Sequence, residues 1–151
     1  MKNLMVCLLF GATSCTAAVD RVAMQSAESN EFAYSAVYDR ERESILLSVH
    51  SLTSHDLCFD ALSWPDGQGR IHFGADLLSA SQDGTKLDLV DENFGSFPPG
   101  YYPDDIVLPA GGSLTAVVGI NRFQPASPGF DWAEAEVTYR YVPHNCLNAA
   151  S

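Results

Sequence analysis

The sequence predicts an all-β domain, an antiparallel immunoglobulin-like β-sandwich of about seven or eight strands with one disulfide. Two observations carry this prediction. Segments in which apolar and polar residues alternate recur along the chain, and clusters rich in proline, aspartate and glycine separate them. Within the domain, only 75–81 offers a plausible helical turn. Many short strands with turns between them are typical of two packed antiparallel sheets.

The first residues have the three parts of a secretory signal. Lys2 gives a positive start, 4–12 form a nine-residue run without charge, and 13–18 are small and polar. This run is much shorter than the ~20 residues that a helix needs to cross a bilayer. We therefore expect a cleaved signal peptide rather than a transmembrane anchor.

The signal ends in the residues ATSC, from Ala12 to Cys15, and this tetrapeptide resembles the lipobox of bacterial lipoproteins. The resemblance implies that cleavage occurs before Cys15, that its thiol is diacylated and that the new N-terminus is acylated. It also implies an anchor in the outer membrane, with the domain facing the periplasm. A second cleavage site after Ala18 is typical of simple secretion, and its use would give a soluble periplasmic or secreted protein.

The predicted organisation is a signal peptide over 1–14, a lipid-anchored tether over 15–30 and the β-sandwich over 31–151. The residues after the lipidation site include few large apolar side chains and do not alternate as a strand does, which is typical of a tether. The remaining length suits one domain.

The predicted strands begin with a hairpin. Alternate residues are apolar in 32–38 and again in 44–50, and the charged stretch 39–43 joins the two runs. The run 114–120 is apolar on both faces and is predicted to be a central strand. In the last run, WAEAEVTYRYV, one face is apolar and the other polar. The other predicted strands are 57–62, 70–73, 86–90 and 106–108.

The chain has four cysteines. Cys7 is removed with the signal, and Cys15 is acylated or removed, so that Cys58 and Cys146 remain as a pair in a compartment where disulfides persist. We expect them to form the one disulfide of the domain. Neither cysteine has a neighbour at the spacing typical of a zinc site.

The charge of the chain limits its partners. There are 19 acidic residues against 8 lysines and arginines, which gives a formal net charge of −11. Such a surface repels phosphate backbones, so nucleic acid is not expected as a partner. We interpret the negative charge first as a source of solubility, and the alternative is that it attracts a cationic envelope or secreted protein.

The stretch DENFGSFPPGYYPDD, residues 91–105, is the candidate binding loop. It combines four aromatic residues with an acidic pair at each end, and its prolines exclude regular ladder pairing. One interpretation folds the aromatic side chains over an open end of the core, and the other exposes them to dock a cationic protein or sugars. The candidate binding residues are Asp91, Glu92, Phe94, Phe97, Tyr101, Tyr102, Asp104 and Asp105.

The sequence contains no recognised catalytic motif. H-E-x-x-H, G-x-S-x-G, a P-loop and G-x-G-x-x-G are all missing, so neither enzymatic activity nor a cofactor is expected. His50, His55 and Asp56 are the candidates for a metal site, although their spacing matches no recognised ligand set. Asp66 is expected to form a turn.

These patterns predict a non-enzymatic cell-envelope lipoprotein that acts as a binding or accessory module. Two alternatives are also consistent with the sequence. One is an inhibitor of a secreted hydrolase such as a lysozyme or a protease. The other is a small periplasmic metal-handling protein.

Overall fold

The computed structural model describes residues 19–26, 29–72, 75–90, 103–125 and 128–146, of which 19–26 are described by their backbone. This part of the chain is built from β-strands and two short 3₁₀ turns, Ala75–Leu77 and Ile120–Arg122, so the all-β prediction is confirmed. The strands are β1 Val19–Ser26, β2 Phe32–Asp39, β3 Ser44–Ser51, β4 Leu57–Phe59, β5 Leu78–Gln82, β6 Thr85–Leu89, β7 Ile106–Leu108, β8 Ser113–Gly119, β9 Phe123–Gln124, β10 Glu136–Tyr139 and β11 His144–Asn145.

The strands form a large and a small sheet. The large sheet has the order β8-β3-β2-β1-β10-β5-β6-β9, and the small sheet has the order β11-β4-β7. All neighbours are antiparallel except β1 and β10. The two end strands of the large sheet, β8 and β9, follow each other in the chain and are joined by Ile120–Arg122. This three-residue connection keeps the two end strands close to each other, so the large sheet must curl around the core.

The immunoglobulin-like subtype is not confirmed by this topology. In an immunoglobulin sandwich, the second and third strands lie in different sheets. Here the second and third strands, β2 and β3, form a hairpin within one sheet. The antiparallel all-β class stands, and the subtype stays a prediction.

The predicted tether over 15–30 is wrong for Val19–Ser26, because these residues form β1 inside the large sheet. The first half of β1 pairs with β2, from Val19 to Val22, and the second half pairs with β10, from Ala23 to Ser26. Backbone hydrogen bonds to two neighbours hold this strand, and they do not require apolar alternation in its own sequence. This is why the residue pattern did not reveal it.

Three other segments differ from the predictions. The predicted strand at 70–73 is not a strand over its described part, 70–72, which follows a turn around Asp66. The predicted helical turn at 75–81 is a 3₁₀ turn followed by β5. The predicted central strand at 114–120 is β8, which lies at one end of the ladder order.

The core lies between the inward faces of the strands. The alternation predicted for the opening hairpin is confirmed, because every second residue of β2 and β3 is buried. The aromatic side chains of the core form a continuous series of ring contacts 5.0 to 5.8 Å apart, through Phe32, Tyr34, Tyr139, Trp64, Phe59 and Tyr141. This series ties the small sheet to the large one.

The hydroxyl groups of three of these tyrosines also form hydrogen bonds with the backbone of residues 60–63 and of Tyr141. The Tyr139 hydroxyl donates to the Ser63 carbonyl at 2.7 Å, and the Tyr34 hydroxyl donates to the Tyr141 carbonyl at 3.1 Å. The Tyr141 hydroxyl accepts from the Asp60 N–H at 2.9 Å. Burial raises the pKa of all three hydroxyls, so they remain protonated, and those of Tyr34 and Tyr139 act as donors.

The predicted disulfide is confirmed. Cys58 on β4 is bonded to Cys146, which directly follows β11, and their Cα atoms are 5.0 Å apart. The bond closes a separation of 88 residues. In the chain-entropy account, such a closure stabilises the fold by about 4–5 kcal/mol.

The outer edge of β8 is covered by a turn. The Asp66 carboxylate accepts the N–H groups of Gln68 and Arg70 at 2.8 and 3.0 Å, which confirms the turn predicted at Asp66. Gly69 in this turn has φ +71°, and a Cβ there would lie 2.5 Å from the Val117 carbonyl oxygen. The turn can approach β8 so closely only because Gly69 lacks a side chain.

Candidate functional site

A polar groove runs along the outer face of β5, between β10 and β6. Ser79 and Ser81 form its floor, while Leu78 and Ala80 alternate with them and point into the core. The flanking strands carry longer side chains than serine. The face is therefore concave along β5, and the groove encloses about 650 Å³.

Strand pairing fixes which side chains face each other across the groove. Two rows of paired residues cross it, each centred on a serine of β5: Glu136–Ser81–Lys86 and Thr138–Ser79–Asp88. The antiparallel register brings residues of three strands together that are far apart in the sequence. It follows that the walls of the groove depend on the order β10-β5-β6.

A two-residue turn closes one end of the groove. Asp83 and Gly84 both have positive φ, +49° and +80°, and the pair Gln82 and Thr85 flanks them. This is the geometry of a type I′ hairpin turn, which favours Asp-Gly. The turn places the Asp83 carboxylate at the end of the groove.

A second turn holds the chain beside that same end. The Asp131 N–H donates to Gln82 Oε1 at 2.7 Å, and the Asp131 side chain accepts the Ala133 N–H at 3.0 Å. The Asp131 carbonyl accepts the Glu134 N–H at 3.1 Å. These bonds fix the backbone from which the exposed Glu134 reaches the groove.

The charges of the groove are separated along its length. Asp83, Glu134 and Glu136 lie towards the turn, and Arg140 lies at the other end, where its backbone N–H bonds to Leu77. Within the described ranges, none of these three carboxylates takes part in an ion pair. The acidic end of the groove therefore offers free carboxylates.

The one cation on the opposite wall is already neutralised. Lys86 Nζ lies 2.6 Å from Asp88 Oδ1, and both side chains are about half exposed. Among the described residues that line the groove, no other cation lies beside Asp83, Glu134 and Glu136 at the acidic end.

The candidate binding loop predicted at 91–105 lies mostly outside the described residues. This applies to Asp91, Glu92, Phe94, Phe97, Tyr101 and Tyr102. Asp104 is exposed, and Asp105 Oδ2 lies 3.1 Å from His144 Nε2. Neither aspartate belongs to the groove.

The three candidates for a metal site do not form a ligand group in the part of the chain that the structure describes. His50 Nδ1 forms a hydrogen bond with Ser113 Oγ at 3.0 Å, and Asp56 accepts the Ala110 N–H at 2.9 Å. His55 takes part through its carbonyl, which accepts from Thr53. Among the described residues, the group of three or more potential ligands that meets is a different one: Cys58, Asp105 and His144.

Asp66 has a strongly perturbed carboxyl group, and its contacts account for this. Burial opposes ionisation, but hydrogen bonds from Arg70, Gln68 and His72 outweigh it and lower the pKa from 3.8 to about 2. Arg70 Nη2 and Nε lie 2.8 and 2.9 Å from Asp66 Oδ2. This carboxylate holds the turn over β8 and is not a proton donor near neutral pH.

Sequence reasoning missed the groove because 75–81 was assigned to a helical turn. The signal was present in LSASQDGTKLDL, where two alternating runs flank Asp-Gly, which is a strong hairpin pattern. What the pattern could not supply is the position of β10 beside β5.

Comparisons with known proteins give no match: no family model, no curated protein and no solved structure is significantly similar to this chain. Within the described residues, no helix has the length and apolar character needed to cross a membrane.

Proposed function

We propose that this protein is a non-enzymatic binding module of the cell envelope, exported and lipid-anchored through Cys15. We propose further that it binds a basic, extended segment of a partner protein in the groove along β5. The observation that carries the proposal is the serine floor bordered by the free carboxylates of Asp83, Glu134 and Glu136.

The shape of the groove suits an extended segment. From Ser79 to Asp83, β5 and its turn cover five positions, and an extended chain rises ~3.3 Å per residue, which gives a length of about 16 Å. A segment of about five residues can lie along such a floor. Serine hydroxyls both donate and accept, so they suit the backbone amides of a polar ligand.

The charges favour a direction for that segment. Lysine or arginine side chains would meet the carboxylates near the Asp83 turn, and an acidic residue or a terminal carboxylate would meet Arg140. The net charge of −11 adds a long-range attraction for basic partners, which raises the association rate at low salt.

The proposal is tested by fluorescence anisotropy with two labelled probes. One is a short peptide in which lysine alternates with serine, and the other alternates glutamate with serine. We expect saturable binding of the lysine probe, weakening as salt is added, and no saturable binding of the glutamate probe. Equal binding of both probes, or none of either, contradicts the proposal.

A further inference from the structure

Three potential metal ligands meet on the small sheet, away from the groove. His144 on β11 is the cross-strand partner of Cys58 on β4, and Asp105 directly precedes β7. The Cys58 sulfur, one ring nitrogen of His144 and one Asp105 oxygen all lie within 4.8 Å of one another. The His144 and Asp105 atoms in contact, Nε2 and Oδ2, are 3.1 Å apart.

A fourth potential ligand, Cys146, is covalently bonded to one of these three residues. Cys146 lies two residues after His144 and forms the disulfide with Cys58. The four side chains would then supply two sulfurs, one imidazole nitrogen and one carboxylate oxygen. This donor set is one that zinc accepts in tetrahedral geometry.

Three of the four donors lie close to the separations that a zinc ion requires, and the two sulfurs must move apart once the bond between them is broken. Zinc lies ~2.3 Å from sulfur and ~2.0–2.2 Å from nitrogen or oxygen, so tetrahedral donors are separated by roughly 3.3–3.8 Å. The donors of Cys58, Asp105 and His144 are already within 4.8 Å. The side chains of Asp105 and His144 are 33% and 44% exposed, so an ion can reach them from solvent.

We infer that reduction of the Cys58–Cys146 disulfide creates a zinc site formed by Cys58, Cys146, His144 and Asp105. A dithiol supplies two electrons and two protons, the S–S bond breaks to give two thiols, and the dithiol becomes a disulfide. When Zn²⁺ binds, each thiol releases its proton to solvent and forms a zinc–sulfur bond. The neutral imidazole of His144 binds through its free lone pair.

The zinc form keeps the same two chain segments joined. The disulfide clamps β4 to the residue after β11, and zinc bound to both sulfurs clamps the same two positions. The small sheet therefore remains closed in both states, and the covalent cross-link is replaced by a coordinate one. A small-molecule disulfide reverses the step: it accepts two electrons from the two thiolates and two protons from solvent and becomes two thiols, while the Cys58–Cys146 bond re-forms and the zinc ion, having lost two ligands, is released.

Cobalt(II) is the probe for this site, because it replaces zinc and absorbs visible light. The full chain is reduced with a phosphine and titrated with Co²⁺, and the oxidised chain is titrated in parallel. We expect the reduced chain to show sulfur-to-cobalt charge-transfer bands and tetrahedral d–d bands at one equivalent, which zinc then abolishes. We expect the oxidised chain to show neither.

Substitutions distinguish a four-ligand site from cobalt binding by the two cysteine thiolates without His144 and Asp105. H144A and D105N are each expected to weaken cobalt binding by the reduced chain by about tenfold or more. The matched control is H50A, which removes another exposed histidine and is expected to change binding less than twofold. The inference is overturned if the reduced chain lacks the charge-transfer bands, or if H144A and D105N bind cobalt as the wild type does.

If reduction of the disulfide destabilises the protein, the melting temperature with and without zinc still tests the site. Zinc is expected to raise the melting temperature of the reduced wild type, and to raise that of reduced H144A much less. Equal increases in both would mean that His144 is not a ligand, and this would also overturn the inference.

Discussion

Two regions on the outside of the large sheet are each formed by three neighbouring antiparallel strands, but their side chains give them very different surfaces. On β5, β6 and β10 the outward-facing side chains form the polar groove. On β2, β3 and β8 they form three rows of uncharged residues: Val37–Leu46–Val117, Ser35–Ser48–Thr115 and Ala33–His50–Ser113. Each face has a serine at its centre, Ser81 in the groove and Ser48 on the uncharged face.

The difference comes from the neighbours of that central serine. Ser81 lies between Glu136 and Lys86, whose long side chains rise on both sides of it. Ser48 lies between Ser35 and Thr115, which are as short as Ser48 itself. The same residue type is thus the floor of a groove on one face and part of a level surface on the other.

The largest expected effect concerns the turn that borders the uncharged face. G69A introduces a Cβ that overlaps the β8 backbone at a residue with φ +71°, and we expect a loss of about 2–4 kcal/mol in the free energy of unfolding. The control is G67A in the same turn, where a Cβ meets nothing within 4 Å. Urea denaturation measures both, and equal stabilities of the two variants would contradict this account of the turn.

The next effect separates the two faces directly. S81W fills the groove with a large side chain, and we expect the affinity for the lysine–serine peptide to fall by more than about tenfold. S48W adds the same side chain at the equivalent place on the uncharged face, and we expect less than a twofold change. Anisotropy titration measures both, and a loss with S48W as large as that with S81W would move the binding site off the groove.

A smaller effect is expected from charge alone. E136K reverses a carboxylate on the groove wall and should weaken binding of the same peptide by about tenfold at low salt, and by less as salt is added. S35K places the same positive side chain on the uncharged face, so it controls for net charge. If S35K weakens binding as much as E136K, then attraction by the whole protein, and not the groove, accounts for the binding.

The smallest effect is a dependence of stability on pH. The Asp66 pKa is lowered from 3.8 to about 2 in the folded protein, so its ionised form stabilises the fold above pH 3.8. This stabilisation is lost as the pH falls from about 4 to about 2. We expect urea denaturation of D66N to show a weaker loss of stability over that interval than the wild type, and parallel curves would exclude this role of Asp66.

The sequence predicted several of the strands that carry their own apolar alternation, although β5 alternates and was not predicted. β2 and β3 were found because every second residue is apolar, and Cys58 and Cys146 were paired because no other cysteine was left. β1 was missed because its position depends on hydrogen bonds to β2 and β10.

The groove was beyond sequence prediction for a related reason. Ser79 and Ser81 are ordinary polar residues until β10 and β6 are known to flank them. That placement depends on strand order, which local patterns do not encode. The inhibitor hypothesis stays a prediction, and His50, His55 and Asp56, the candidates for a metal site, do not form the group of potential ligands that meets among the described residues.

We propose that the groove, and not the uncharged face, binds a basic segment. The most direct measurement is NMR titration of the isotope-labelled protein with the lysine–serine peptide, following the backbone amides. We predict shift changes concentrated in 79–86 and 134–140, with those of 33–37, 46–50 and 113–117 unchanged. Changes concentrated in the second group, or spread evenly over both faces, would contradict the account.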